Sequence, residues 1–240
     1  MNVPLGLWPP GQVPSLLLAT SNAHKVQELR GIFASLALPI TLESLSDLNG
    51  QFPEPIESGS TFEANATIKA YGYAATTGRI CLADDSGIEV DALDGKPGVI
   101  SSHYCTDGKE TGMSREERDQ ANNQRVLREL DGELDESRAA RFVCVMALGV
   151  PPDHPLYSIT TSKTLQRDPI MLSRGTFEGR IGIPPRVPSG GTGFGYDPLF
   201  LVSPQHARTA SELSEAEKNA CSHRAMAARI MAEQLKVSLI

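Results

Sequence analysis

Apolar residues at the start of the chain first run together and then recur every third or fourth position. Leu16 to Ala19 form a block bounded by Pro14 and by Thr20-Ser21-Asn22, and Val26, Leu29, Phe33 and Leu36 follow at helical spacing. The pattern predicts strand, turn, helix. Phe62, Ala66, Ala70 and Tyr73 repeat with the same period behind Ser60-Thr61-Phe62-Glu63, which reads as a capping box, so a second helix begins there. Ile80 to Ala83 and Ile88 to Leu93 read as strands on either side of an Asp84-Asp85-Ser86-Gly87 turn. Ser114 with Glu117 opens a charged surface helix that runs to Leu130, with Val126, Leu127 and Leu130 on its inner side. Arg141 to Val150 and Tyr157 to Leu165 are strand candidates divided by Pro151-Pro152-Asp153, which suggests an antiparallel pair in a mixed sheet. Ile181 to Gly193 is rich in Pro and Gly, and Phe200 to Val202 leads to a helical region over Ser214 to Lys236. The class is α/β, without internal repeats.

Composition narrows the function classes. At 240 residues, 40% hydrophobic and 21% charged, the chain suits one globular domain, and two lobes of one sheet also fit. A net charge of -7 argues against a nucleic-acid partner, whose backbone is gripped by clustered Lys and Arg. A small anion carried with a metal remains allowed. The cysteines, Cys81, Cys105, Cys144 and Cys221, have no C-x-x-C spacing, so neither a zinc site nor a disulfide framework is indicated and reduced cytoplasmic thiols are expected. Residues 1–14 are proline-rich, lack a basic start and a long apolar run, and read as a flexible leader rather than a signal peptide or membrane anchor.

Five segments carry candidate chemistry. In LLLATSNAHK, Leu16 to Lys25, a strand runs into a helix N-terminus whose N–H groups suit phosphate oxygens, with Lys25 adding a charge; Asn22 as a simple cap and Lys25 in solvent is the alternative. In ESGSTFEANATIKA, Asn65 and Lys69 share a helix face, which a solvated surface would also explain. Asp84 and Asp85 are adjacent carboxylates that raise each other's cost of ionisation, so a positive partner is expected. If the backbone is extended there, one faces a site and the other braces the structure. Such hard oxygen ligands suit magnesium shared with phosphates; an Asx-type turn closed by Gly87 is the competing reading. SGGTGFGYDPLF, Ser189 to Phe200, combines glycines that admit a ligand with Phe194 and Tyr196 as stacking faces, or is a glycine-rich hairpin. In SELSEAEKNACSHRAMA, a continuous helix would set Lys218 and His223 about 140° apart. A break near Ser222 is therefore predicted, letting His223 and Arg224 turn towards the cleft that Lys218 faces, against an unbroken surface helix.

Taken in order, ATSNAHK, ESGSTFEANATIKA, ADDSGIEVDALDGKPGV, GTGFGYDPLF and ELSEAEKNACSHR resemble the inosine triphosphate pyrophosphatase family, also called HAM1-like or noncanonical purine nucleoside triphosphate pyrophosphatases. The resemblance implies the fold shared by Maf and HAM1 proteins, an elongated mixed sheet flanked by helices, with two lobes and the active site in the cleft between them. It implies one such domain over residues 15–240, a cytoplasmic homodimer without nucleic-acid or membrane partners, and Mg2+-dependent hydrolysis of dITP, ITP and XTP to monophosphate and pyrophosphate. That reaction keeps these nucleotides out of DNA and RNA. By position, Thr20, Ser21, Asn22, Ala23, His24 and Lys25 look like the triphosphate loop, and Lys69 like a further phosphate contact. Asp85 matches the general base and metal ligand, and Ser86 a substrate contact. Phe194, Gly195, Tyr196 and Asp197 look like the nucleoside pocket, joined by Lys218, His223 and Arg224. A site presenting Arg224 and N–H donors would accept a 6-oxygen and reject the 6-amino group of adenine; guanine would be rejected by its 2-amino group finding no acceptor or no room.

Three features depart from the family pattern. The usual pair of adjacent glutamates reads Ile56-Glu57, so Glu57 is the candidate second metal ligand. The usual Y-S-A-R-Y reads Ile100-Ser101-Ser102-His103-Tyr104, and Asp107 to Asn122 and Arg180 to Pro188 are longer than in compact members. A Maf-like pyrophosphatase for pyrimidine or modified nucleotides, and a nucleotide-binding sensor without turnover, are the alternatives.

Overall fold

A computed structural model of the chain describes residues 6–8, 13–158, 168–189 and 195–238. Contacts divide it into two units, residues 1–85, 144–175 and 224–240 forming the first and 86–143 and 176–223 the second. Among the described residues, six strands form one sheet in the order β2-β1-β3-β4-β5-β6. These are β1 Ser15–Leu18, β2 Thr41–Ser44, β3 Cys81–Val90, β4 Ala139–Gly149, β5 Met171–Ile181 and β6 Phe200–Val202. β1 pairs in parallel with β2 and β3, whereas β5 and β6 are antiparallel, so the sheet is mixed as the sequence suggests.

The first unit buries Leu16, Leu18, Leu82, Met146 and Leu148 against Val26, Leu29 and Phe33 of helix α1, Ala23–Ser35, with Leu7 in the same core. Helix α2, Phe62–Thr77, also belongs to this unit and ends at Gly78 in a left-handed conformation (φ +66°). Only a residue without Cβ takes that turn readily. The second unit has its own core, in which Ile88 and Val90 meet Val126 of α3, Arg115–Glu129, and its C-cap Leu130, together with Phe142, Phe177 and Phe200. Helices α4, Glu215–Cys221, and α5, His223–Ser238, close the chain.

The capping box at Ser114 and Glu117 is present as expected. The one proposed at Ser60 and Glu63 is not. Thr61 is the N-cap, accepting from the Ala64 N–H at 3.1 Å, and the Glu63 carboxylate instead pairs with Arg174 at 2.8 Å. The two strands and turn proposed around Asp84 are one continuous strand: Gly87 breaks nothing, because the chain stays extended through it. The strand proposed over Tyr157 to Leu165 begins instead as a 3-10 turn at Pro155–Ser158, and its remainder lies outside the described residues. β5 went unread because Ser173, Gly175 and Gly179 occupy inward positions, so a strict two-residue burial rhythm carries few apolar letters.

α2 approaches β4 closely at Gly149, where an added Cβ would lie 2.8 Å from the carbonyl carbon of Ala70. Backbone cannot yield as a flexible side chain does. Gly149→Ala is expected to cost about 1–3 kcal/mol and to lower the melting temperature by roughly 3–8 °C in a thermal melt.

Candidate active site

β1 delivers Thr20 and Ser21 into the N-terminus of α1, where the Asn22 Oδ1 accepts from the Lys25 N–H at 3.4 Å and its carbonyl from Val26 at 3.1 Å. Asn22 is therefore a helix cap, and Thr20 Oγ1 in turn accepts from the Asn22 N–H at 3.2 Å. Ser21 and Ala23 are exposed, which leaves this helix start open to solvent. The His24 side chain lies outside the described residues. Lys25 is not in solvent: its Nζ donates to Asp84 Oδ2 at 2.8 Å.

Because β3 is extended, its consecutive acids point to opposite faces and meet different partners. Asp84, with a side chain only 2% exposed, takes Lys25 and the Arg224 Nε at 3.6 Å, and Cys144 Sγ lies 3.9 Å from the same oxygen. Burial opposes its ionisation, but Lys25, Arg224 and Lys69 outweigh burial and hold its carboxyl well below the usual range. Asp85 is the opposite case. Burial pushes its carboxyl up, Lys69 offsets part of that, and the neighbouring Glu57 charge adds to the rise.

Lys69 is the hub of the second face. Its Nζ lies 3.2 Å from Glu57 and 3.5 Å from Asp85, and the residue is 6% exposed. Burial works against its ammonium, but Asp85, Asp84 and Glu57 together keep it above its ordinary value, so it stays charged. A solvated helix face is thereby excluded for Asn65 and Lys69. Asn65, 3% exposed, accepts from the Gly59 N–H at 2.8 Å and hydrogen-bonds to Asp85. Gly59 is required there, since a Cβ would fall 2.7 Å from the Asn65 Oδ1. Ile56, beside Glu57, is 87% exposed.

The C-terminal candidates sit where the helix break allows. Ser222 is extended (φ −65°, ψ 158°) and separates α4 from α5, as the divergence of Lys218 and His223 requires. Arg224, in the first unit, donates to Glu28 of α1 at 2.6 Å as well as facing Asp84. Within the second unit, His223 stacks on Phe142 with ring centroids 5.2 Å apart, and Lys218 pairs with Asp197 at 2.8 Å. Tyr196 is 4% exposed and its hydroxyl donates to the Ser101 carbonyl at 2.8 Å. Ser86, next on β3, is half-buried, and Gly195 has φ +57°. Phe194 lies outside the described residues. His103 contacts Glu110 at 2.9 Å.

The first unit thus brings together Lys25, Lys69, Asp84, Asp85, Glu57 and Arg224, and the second unit Asp197 with Lys218. Sequence reading missed Glu28 and left Asn65 out of the site. Asn65 had a signal, its four-residue spacing from Lys69, whereas nothing local marks Glu28 as the partner of a residue so far along the chain. Among the described residues no group of three or more His, Cys, Asp or Glu side chains could hold a metal by itself. Asp85 and Glu57 supply two hard oxygen donors, which fits a magnesium that takes one or two carboxylates and completes its shell with phosphate oxygens and water.

An α/β sheet that carries differently tuned carboxylates within one strand, with cationic side chains and an open helix start in the same unit, is suited to a polyphosphate. The chain belongs to the Ham1 family, whose profile matches residues 16–234. The dITP/XTP pyrophosphatase of Exiguobacterium sp. strain AT1b is 44% identical over 214 residues, covering 89% of this chain and 93% of that protein. That of Nitratidesulfovibrio vulgaris is 40% identical over 91% of this chain and 94% of its own length. The solved HAM1 protein of Coxiella burnetii is 37% identical with a TM-score of 0.73, covering 93% of this chain and 98% of that one. The Staphylococcus aureus Ham1 structure gives 31% and 0.70, covering 92% and 98%.

Removing the Asp84 charge would leave Lys25 and Arg224 facing a neutral group. Asp84→Asn is expected to cost about 3 kcal/mol at pH 7, a drop of roughly 6–12 °C in melting temperature. Since the folded Asp84 has its pKa depressed, its contribution is complete above the unfolded value of about 4 and is withdrawn as pH falls below it. Melting curves of parent and variant should therefore converge with acidification below about pH 4.

Proposed function

We propose that the protein hydrolyses noncanonical purine nucleoside triphosphates, dITP, ITP and XTP, to the monophosphate and pyrophosphate. Its family membership and the dITP/XTP pyrophosphatase names of its relatives support this. The observation that carries the reading at the level of chemistry is the Glu57–Lys69–Asp85 group, a buried cation between a buried carboxylate, Asp85, and an exposed one, Glu57. Mg2+ is the cofactor in this proposal, held by Asp85 and Glu57; when bound it neutralises phosphate charge and acidifies a coordinated water.

The chain's own groups do the rest. The loop and helix start over Thr20 to Lys25, apart from the Thr20, Asn22 and Lys25 N–H groups already engaged within the chain, and the Lys69 ammonium take phosphate oxygens. Asp85, its carboxyl raised by burial, accepts the proton of a water as that oxygen bonds to the α-phosphorus. The bond from the α-phosphorus to the bridging oxygen breaks and pyrophosphate leaves. Lys69 and Asn65 hold the Asp85 carboxylate in one orientation throughout. Ser86, Phe194, Gly195, Tyr196, Asp197, Lys218, His223 and Arg224 are assigned to the nucleoside, the donors among them favouring a 6-oxygen. A single catalytic domain over residues 15–240, assembled as a cytoplasmic homodimer, belongs to the same proposal, and among the described residues no helix is long and apolar enough to cross a membrane.

Product analysis with dITP, XTP, dTTP, UTP and dATP in the presence of Mg2+ tests the reading. Pyrophosphate release from dITP and XTP is expected to exceed that from dATP by at least about a hundredfold in kcat/KM, and Asp85→Asn to lose about a thousandfold or more. Preference for a pyrimidine would favour a Maf-like activity. Binding without turnover would favour a sensor.

A further inference from the structure

α3 supplies nothing to the groups described above, yet one of its faces grips a single residue of the proposed nucleoside segment by both backbone groups. The Gly195 N–H donates to Asp119 Oδ2 at 3.1 Å, and the Gly195 carbonyl accepts from Asn123 Nδ2 at 3.0 Å. Asp119 and Asn123 are one helical turn apart and so project side by side. Gly195 has φ +57° and lies outside every strand and helix, so its peptide groups have no ladder to join and take side-chain partners instead. The residues that follow are fixed within the same unit. Tyr196 donates to the Ser101 carbonyl, which Asn122 of α3 also holds at 3.2 Å, and Asp197 pairs with Lys218. The Asp197 carbonyl accepts from the Ser211 N–H at 3.3 Å.

We infer that Asp119 and Asn123 are positioning residues for purine selectivity, clamping Gly195 so that Gly195-Tyr196-Asp197 presents one arrangement of hydrogen-bonding groups to the base. The inference rests on the nucleotide-hydrolysing reading given above. A segment held before the ligand arrives loses little freedom on binding and cannot shift to suit a base edge of the wrong donor pattern. Released, it would order only on binding and would tolerate either edge. KM should rise while the chemical step, to which α3 contributes no group in the proposed roles, changes little.

The two side chains make opposite chemical demands, which separates a clamp from a charge effect. Asp119 only accepts, so Asp119→Asn would preserve the bond with a neutral amide oxygen, whereas Asp119→Leu removes it. Asn123 donates, so Asn123→Asp replaces the donor with a carboxylate facing a carbonyl. Arg115, 3.9 Å from Asp119, supplies a control, because Arg115→Gln breaks that ion pair and spares the clamp. The Asp119 side chain is 24% exposed, so its variants should fold, and Asp119→Leu with Asp119→Asn carries the test if Asn123→Asp does not fold.

Two measurements on the full chain decide the matter: deuterium exchange at the Gly195 amide, and steady-state hydrolysis of dITP and dATP with Mg2+. Asp119→Leu is expected to speed exchange about tenfold, raise KM for dITP about five- to tenfold with kcat within about twofold, and narrow the dITP-to-dATP ratio. Asp119→Asn should restore most of each, Asn123→Asp should match Asp119→Leu in KM and ratio, and Arg115→Gln should match the parent. Unchanged exchange in Asp119→Leu would refute the clamp. Faster exchange with an unchanged base ratio would refute its role in selectivity. A parent that hydrolyses neither nucleotide would overturn the activity reading, and the selectivity role with it, while the exchange result still judges the clamp.

Discussion

Two adjacent carboxylates on an extended backbone cannot share an environment, and the first unit is organised around that constraint. Alternation sends Asp84 to Lys25 and Arg224, and Asp85 to Lys69 and Glu57. Each acid thereby gains its own nearest cation, while Lys69 acts on both. The two groups shift in opposite directions for the same reason that they are buried: Asp84 has enough cationic partners to outweigh desolvation, and Asp85 does not. One acid becomes a permanently ionised brace between α1 and the start of α5. The other keeps a raised proton affinity, the direction that the proposed general-base role calls for.

Local breaks in regular structure serve the same end. An N-cap at Asn22 starts α1 directly after β1, which leaves the exposed turn and places Lys25 within reach of Asp84. Extended geometry at Ser222 ends α4 and restarts the helix at His223, so that Arg224 falls within reach of Asp84 and Glu28. Without that break, helical rotation would carry Arg224 round the axis with Lys218 fixed. Gly59 and Gly195 play comparable parts, the first admitting the Asn65 side chain against the backbone and the second taking a left-handed conformation before Tyr196.

The sequence made legible the strand and helix that open the chain, α3 with its capping box, the break at Ser222 and the Ham1 resemblance, because each rests on short-range chemistry or on several motifs in order. Gly87 misled the reading of β3, since a glycine inside a strand looks like a turn when only its neighbours are known. β5 hid behind small polar residues at inward positions, and β2, with Leu42 its only large apolar side chain, gave no pattern at all. For the site, types and positions could be read but partners could not. Lys25 with Asp84, Arg224 with Glu28 and Asp119 with Gly195 are pairings across long stretches of chain, set by the fold rather than by spacing.

Metal affinity measures the division of labour between the two acids most directly. Titration of Mn2+ into parent, Asp84→Asn and Asp85→Asn proteins, each carrying a non-hydrolysable dITP analogue, would separate the brace from the ligand. The proposed ligand role of Asp85 predicts a loss of affinity of about a hundredfold in Asp85→Asn and less than about threefold in folded Asp84→Asn. Equal losses in the two variants, or a loss confined to Asp84→Asn, would contradict it.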